Sequence, residues 1–239
     1  MSAAPATCRL AAALLAVSSL AVRGQAVLPA PAAAAETPVG ATVRGDGAQR
    51  SVLFRVWAPN AQKVAVIGDF NSWKEDALQK DPRQAGFWLL DTKRARPGDA
   101  YQFVIDGQYR RDPRARAVRQ EENKAIILDP RAAAAGLAAG WKMPPKEDLV
   151  MYEMHLGTFA NDIPGTDPLF ARAIKRLPYL KALGINCIQL MPVNEFSGDR
   201  SWGYNPGDLF AVENSYGGAT GFKGFIKACH SNGMAVLLD

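Results

Sequence analysis

The sequence predicts an all-β sandwich followed by a parallel α/β unit, and three observations predict it. Between Ser51 and Asp106, short alternating apolar runs recur with Gly, Pro, Asn and Asp at their ends. From Leu149 onward, near-continuous apolar runs alternate with segments of helical spacing. Two stretches rich in Ala, Gly and Pro, at 30–47 and 131–145, separate the pieces.

Residues 1–47 read as targeting segment and linker. Leu10–Val22 is an apolar run behind Arg9, too short to span a bilayer comfortably, and Gly24-Gln25-Ala26 offers the small residues a signal peptidase reads. The expectation is a cleaved export signal with a secreted or periplasmic destination, and no membrane partner after processing. The region is also Ala-rich with no acid before Glu36, which leaves a plastid or mitochondrial transit sequence open.

Residues 48–130 hold the sandwich. Ser51–Trp57 is its first strand, stopped by Ala58-Pro59-Asn60. Lys63–Gly68, Gly86–Asp91 and Ala100–Asp106 follow, the last closing at the turn Asp106-Gly107. Trp88 falls within a strand and reads as core. After the linker at 131–145, residues 146–239 begin with a strand, Leu149–Leu156. Pro168–Leu183 has the spacing of one helix, with Phe170, Ile174, Leu177 and Leu180 on one face and Gly184 closing it. Ile185–Met191 reads as a buried parallel strand, 192–219 as a long polar loop, Thr220–Ser231 as a second helix and Met234–Leu238 as a third strand. Periodicity alone leaves a closed barrel and an open doubly wound sheet equally allowed. No Gly-rich phosphate loop follows the strands, which counts against a nucleotide.

The formal net charge is +5, and Arg9 and Arg23 in the leader account for two of those charges. So small an excess gives no footing for nucleic acid. Cys8 leaves with the leader, while Cys187 and Cys229 sit in apolar runs without metal-ligand spacing and read as buried structural thiols. Arg110, Arg111, Arg114, Arg116 and Arg119 are interleaved with Asp112 and Pro113 and read as a solvated turn.

Two groups of words carry a resemblance. Phe54-Arg55-Val56-Trp57-Ala58-Pro59-Asn60-Ala61, then Gly68-Asp69-Phe70-Asn71-Ser72-Trp73, then Tyr101-Gln102-Phe103 and Asp106-Gly107-Gln108-Tyr109, resemble carbohydrate-binding module family 48. That module precedes the catalytic barrel in glucan branching enzymes, isoamylases and pullulanases. Tyr152–Phe159, Tyr179–Asn186 with Ile188–Val193, Ser201-Trp202-Gly203-Tyr204-Asn205-Pro206 and Gly233–Asp239 resemble the opening of a glycoside hydrolase family 13 barrel, in the α-amylase superfamily. The resemblance implies an immunoglobulin-like all-β sandwich followed by the first strands and helices of an α/β TIM barrel. It also implies C-terminal truncation, with about 90 of a barrel's roughly 250 residues present.

For function, the resemblance implies a parent enzyme that acts on starch or glycogen at α-1,4 and α-1,6 bonds with retention. Hydrolysis of the amylase or pullulanase kind and branching both stay open, and a non-catalytic glucan-binding protein with a vestigial barrel is the alternative. Retention needs two carboxylates about 5–5.5 Å apart, which the family takes from later strands. No catalytic carboxylate is therefore expected in this chain, and Glu153, Glu195 and Asp199 read as loop or structural acids. The pattern nominates Tyr204, Trp202 and Asp208 for substrate, with Asp208 bracing its loop, and Asp239 as support at a strand end. On the module it nominates Trp73, Asn71, Tyr109 and Gln102, the last standing where glucan-binding members carry a Lys; a module that only packs on the barrel is the other outcome. The partner implied is an α-glucan polysaccharide. No cofactor and no metal ligand is expected in the chain, and a structural calcium is an expectation for the full-length parent. His155 reads as structural, and His230 as a favourable charge at a helix C-terminus.

Overall fold

A computed structural model of the protein describes residues 38–131, 140–198 and 200–239. The leader with Cys8, most of the second linker and Asp199 lie outside the described residues.

The sandwich is built from β1 (Gly40–Arg44), β2 (Ser51–Trp57), β3 (Val64–Gly68), β4 (Asp76–Ala77), β5 (Gln79–Lys80), β6 (Phe87–Thr92), β7 (Ala100–Ile105), β8 (Gln108–Arg110), β9 (Val118–Arg119) and β10 (Lys124–Ile126). One antiparallel sheet has the order β1-β2-β6-β5, and the other β4-β3-β7-β10-β9 with β8 paired to β7. Alternation in β2 sends Val52, Phe54 and Val56 inward, and alternation in β7 does the same for Tyr101 and Phe103. Phe54 stacks on Phe70 at 5.2 Å and meets Tyr101 edge-on at 5.1 Å, an aromatic centre for the core. Trp88 is buried there, its indole N–H donating to the Ala58 carbonyl at 3.0 Å.

Strand β1 lies inside the stretch whose composition reads as linker. It pairs with β2 from Gly40↔Arg55 to Arg44↔Ser51 and buries Val43, so the sandwich starts near residue 38 and not at 48. The Gly and Pro around it hid a five-residue strand whose partner supplies most of its stability. A module made from residues 38–131 is expected to unfold cooperatively in urea. One made from 48–131 loses at least the burial of Val43, about 2 kcal/mol, and uncovers the edge of β2. Equal midpoints for the two would remove β1 from the structural core.

The second part opens with β11 (Met151–Met154), followed by the short helices α1 (Leu156–Phe159), α2 (Leu169–Ile174) and α3 (Leu177–Ala182). The predicted single helix over 168–183 is thus two, because Pro178 has no N–H to give and its ring crowds the carbonyl of Ile174. Next come β12 (Cys187–Leu190), β13 (Asn194–Phe196), β14 (Pro206–Val212), α4 (Gly218–Ser231) and β15 (Ala235–Leu238). Strands β11, β12 and β15 form a parallel sheet, in register at Met154↔Leu190↔Leu238. The helices cover one face around Phe170, Leu177, Leu180, Phe225 and Cys229. The polar loop predicted at 192–219 contains the antiparallel pair β13–β14, whose irregular register at Glu195 gave no alternation to read.

Cys187 and Cys229 are buried and unpaired, and burial pushes the Cys229 thiol up to about 12. His230, in the last turn of α4, lies flat on Trp141 at 3.9 Å, and burial lowers its pKa. It sits at the helix end, as expected, and there it stacks on Trp141.

Candidate functional site

Barrel chemistry sits at the C-terminal ends of parallel strands, and the structure brings two of the nominated residues together there. Asp239 follows β15, its backbone N–H donating to the Leu190 carbonyl at 3.0 Å. The Tyr204 hydroxyl donates to its carboxylate. That hydrogen bond, with some burial and the nearby charges of Asp239 and Glu153, raises the Tyr204 pKa, so the phenol stays protonated as a donor. Tyr204 as a whole remains 54 % exposed. Tyr204 therefore offers a flat apolar face to solvent with its polar end anchored, which is the geometry a sugar ring can stack on.

The loop that carries Tyr204 is pinned at its start. His155 accepts from the Thr158 N–H through Nδ1 at 3.2 Å, which leaves Nε2 to donate to the Ser201 carbonyl at 2.9 Å. Gly203 has φ +88°, and a Cβ there would stand 2.2 Å from the Pro192 carbonyl oxygen, so only glycine lets the loop lie this close to the end of β12. Trp202 projects from the same loop, 73 % exposed, over a cleft of about 710 Å³ that Asn161, Asp162, Arg172 and Tyr216 also line. The lining mixes polar and apolar surface in nearly equal parts, and the Trp202 and Tyr216 rings both belong to it.

Asp208 braces its loop, as expected, and is not exposed as a substrate ligand would be. It is buried, and Arg111 of the sandwich holds it with Nε donating to Oδ1 at 3.0 Å and Nη2 standing 2.9 Å from Oδ2. Its oxygens point into protein and not toward a substrate. Across the β13–β14 pair Glu195 is 3 % exposed and faces Asp208, with Glu213 close by. Burial, then the charges of Glu213 and Asp208, push the Glu195 carboxyl up to about 7. The Asn214 N–H donates to it at 2.8 Å, so its role is structural. Glu153 is an exposed side chain of β11. Among the described residues no group of three or more His, Cys, Asp or Glu is placed to hold a metal ion.

On the sandwich, the outer face of the larger sheet gathers the remaining candidates. Trp73 packs over Ala65, Ile67 and Val104. It adopts φ +59°, a left-handed conformation that costs a bulky side chain about 1–2 kcal/mol. Tyr109 stands opposite Val104 in the β7–β8 register, on the same face, and is 60 % exposed. Gln102 faces the same way and donates to the Asn123 carbonyl at 2.8 Å. The cation that the sequence lacked at Gln102 comes from the neighbouring strand: Lys124 Nζ lies 4.2 Å from the Trp73 ring centre, its other side bonded to Glu122 at 2.9 Å. Only strand register places it there, and sequence spacing carried no signal for it. Asn71 is a correction. It is buried, accepting from the Gly68 N–H at 2.8 Å and donating to the Val66 carbonyl at 3.1 Å, and so it shapes the turn that presents Trp73.

The structure is an antiparallel sandwich followed by parallel strands, with Tyr204 of a loop hydrogen-bonded to Asp239 at the end of β15. Residues 38–132 match carbohydrate-binding module 48, the isoamylase N-terminal domain, and residues 170–239 match the α-amylase catalytic domain. The chain belongs to that superfamily, glycoside hydrolase family 13, and carries a family 48 module followed by the beginning of the catalytic domain. It is 34 % identical over 201 residues to the 1,4-α-glucan branching enzyme GlgB of Dechloromonas aromatica, covering 78 % of this chain and 32 % of the relative. Among solved structures, a Salmonella typhimurium protein assigned as an α-amylase aligns with a TM-score of 0.72 and 38 % identity, over 84 % of this chain and 32 % of the other. The pullulanase of Bacillus acidopullulyticus aligns with a TM-score of 0.69 and 26 % identity, over 84 % and 29 %. The chain spans about a third of the length of these relatives.

Proposed function

We propose that this chain binds α-glucan, and that the whole protein remodels starch or glycogen at α-1,4 and α-1,6 bonds by double displacement with retention. The observation that carries the reading is the exposed Tyr204 ring anchored to Asp239 at the ends of parallel strands. Tyr204 stacks on the sugar beside the scissile bond, Asp239 fixes the ring by its hydrogen bond, and Trp202 extends the apolar surface along the chain of sugars. The attacking and proton-donating carboxylates are not among these 239 residues. Hydrolysis and branching share a glycosyl-enzyme intermediate and differ only in whether water or a glucan hydroxyl takes the sugar. The branching-enzyme relative supports transfer, and the pullulanase supports hydrolysis. On the sandwich, Trp73 and Tyr109 form the glucan platform, with Lys124 and Gln102 as hydrogen-bond donors between them. The apolar run behind Arg9 supports export.

Two measurements test this. The chain is expected to be retarded in native gels containing amylopectin and to run freely in gels containing carboxymethyl-cellulose. Equal mobility in the two would remove glucan binding. Incubated with soluble starch, the purified chain is expected to release no reducing ends above buffer. Release that persists after rigorous purification would mean that carboxylates within these 239 residues do the chemistry.

A further inference from the structure

We propose that Arg111 is a positioning residue for Tyr204: the sandwich clamps strand β14 through the Arg111–Asp208 pair and thereby sets where the tyrosine ring faces glucan. The inference rests on the reading of Tyr204 as the sugar platform.

The contact joins residues 97 positions apart, with both side chains largely shielded from water. The guanidinium fork meets the carboxylate with one hydrogen bond, Nε to Oδ1, and a close charge contact of Nη2 at Oδ2, so it bears on both oxygens where a lysine would bear on one point. The clamp is not confined to one pair. At Gly207 an added Cβ would stand 3.0 Å from Gln120 Nε2, so the sandwich backs closely onto that backbone. The Arg114 guanidinium lies 4.6 Å from the centre of the Phe210 ring. Ala211 is buried within the apolar core of the sandwich itself. Strand β14 from Gly207 to Ala211 thus lies against the sandwich, and Tyr204 precedes this stretch by three residues.

Charge makes the clamp depend on Arg111. Asp208 faces Glu195 across the strand pair, and Glu213 adds a third buried acid. Arg111 offsets that like charge from the sandwich side. Without it, β14 would have to carry Asp208 out toward water, because an unpaired buried carboxylate is costly. The loop's other end is held by His155 on Ser201 and by the approach of Gly203 to Pro192. Tyr204 is therefore suspended between two anchors, one in the barrel and one in the sandwich. Releasing the second lets the ring swing about Gly203 and leave Asp239.

The test uses the whole chain labelled with 3-fluorotyrosine, in which the Tyr204 resonance is assigned by its loss in Tyr204→Phe. The phenol is followed by fluorine NMR against pH, and Asp239→Asn measures how far loss of the contact lowers its titration. Arg111→Ala is expected to produce at least half of that downward shift. Arg111→Lys, which keeps the charge without the fork, falls between, and the exchange of Arg111→Asp with Asp208→Arg restores the parent titration. Retardation by amylopectin should persist, which shows that the sandwich is folded and its own glucan face intact. Should Arg111→Ala not fold, Arg111→Lys and the exchanged pair carry the same comparison. If the Arg111 variants leave Tyr204 unmoved while Asp239→Asn shifts it, the clamp is structural only and the proposal is overturned with the platform reading intact. If Asp239→Asn also leaves it unmoved, both fall.

Discussion

Replacing Trp73 and Tyr109 together by alanine is expected to abolish the retardation of the chain in amylopectin gels. The two rings lie on one face of the larger sandwich sheet, Trp73 over Val104 and Tyr109 opposite the same residue in the register. Buried aromatic anchors of binding sites typically cost about 2 kcal/mol or more each when truncated. Removing both should therefore weaken binding by roughly a thousandfold. Tyr109 is exposed, so its loss costs the fold little. Trp73 covers Ala65, Ile67 and Val104, so the double variant needs a folding check, which its far-UV spectrum and urea midpoint supply. The single variant Tyr109→Ala, expected to show intermediate retardation, separates binding from stability. Lys124 lies on the Trp73 ring in the free protein and must shift when a sugar arrives. Unchanged mobility of the folded double variant would leave the module with a packing role alone.

That packing role is also the part of the fold that the sequence could not disclose. Local words sufficed for the four longer sandwich strands β2, β3, β6 and β7, for the parallel strands and for the loop of Tyr204, because each carries its own alternation, apolar run or glycine. The two- and three-residue strands β4, β5, β8, β9 and β10 are too short to show a period. Strand β1 was missed because its five residues sit among Gly and Pro and draw their stability from β2. The break between α2 and α3 was present in the sequence as Pro178, yet the apolar spacing on either side of it stays in phase and reads as one helix. Arg111 and Arg114 looked like part of a solvated basic turn. Their partners, Asp208 and Phe210, lie about a hundred residues away, and no local pattern reports a contact at that separation. Asn71 was the opposite error. The family resemblance nominated it for glucan, and only the hydrogen bonds to Gly68 and Val66 show that its amide is spent on the turn. Tyr204 and Asp239 were each nominated separately, but their hydrogen bond needs β15 to end beside the 201–205 loop, which is a tertiary fact.

Raising the pH from 5 to 8 is expected to destabilise the chain through Glu195, and Glu195→Gln is expected to remove most of that loss. Burial and the neighbouring Glu213 and Asp208 carboxylates, only partly offset by Arg111, lift its pKa from 4.5 in the open chain to about 7 in the folded state. A carboxyl with a raised folded pKa takes up a proton on folding, so its favourable contribution is complete below the unfolded value and disappears as the pH climbs through the folded one. The full swing is on the order of 3 kcal/mol. His230 acts in the opposite direction, since burial lowers its pKa and its contribution is lost as the pH falls. It is common to both proteins and cancels in the comparison. Glutamine mimics the protonated acid and can still accept the Asn214 N–H, so the variant and the parent should have similar urea midpoints at pH 5. At pH 8 the variant should be the more stable of the two by up to that amount. The strain released by Glu195→Gln lies at the β13–β14 pair, next to the anchor of Tyr204, so the gain should be accompanied by slower amide exchange in β14 at pH 8. Parallel midpoint curves for the two proteins across pH 5–8 would show that Glu195 folds already ionised, and that Arg111 compensates the acids around it more fully than burial opposes them.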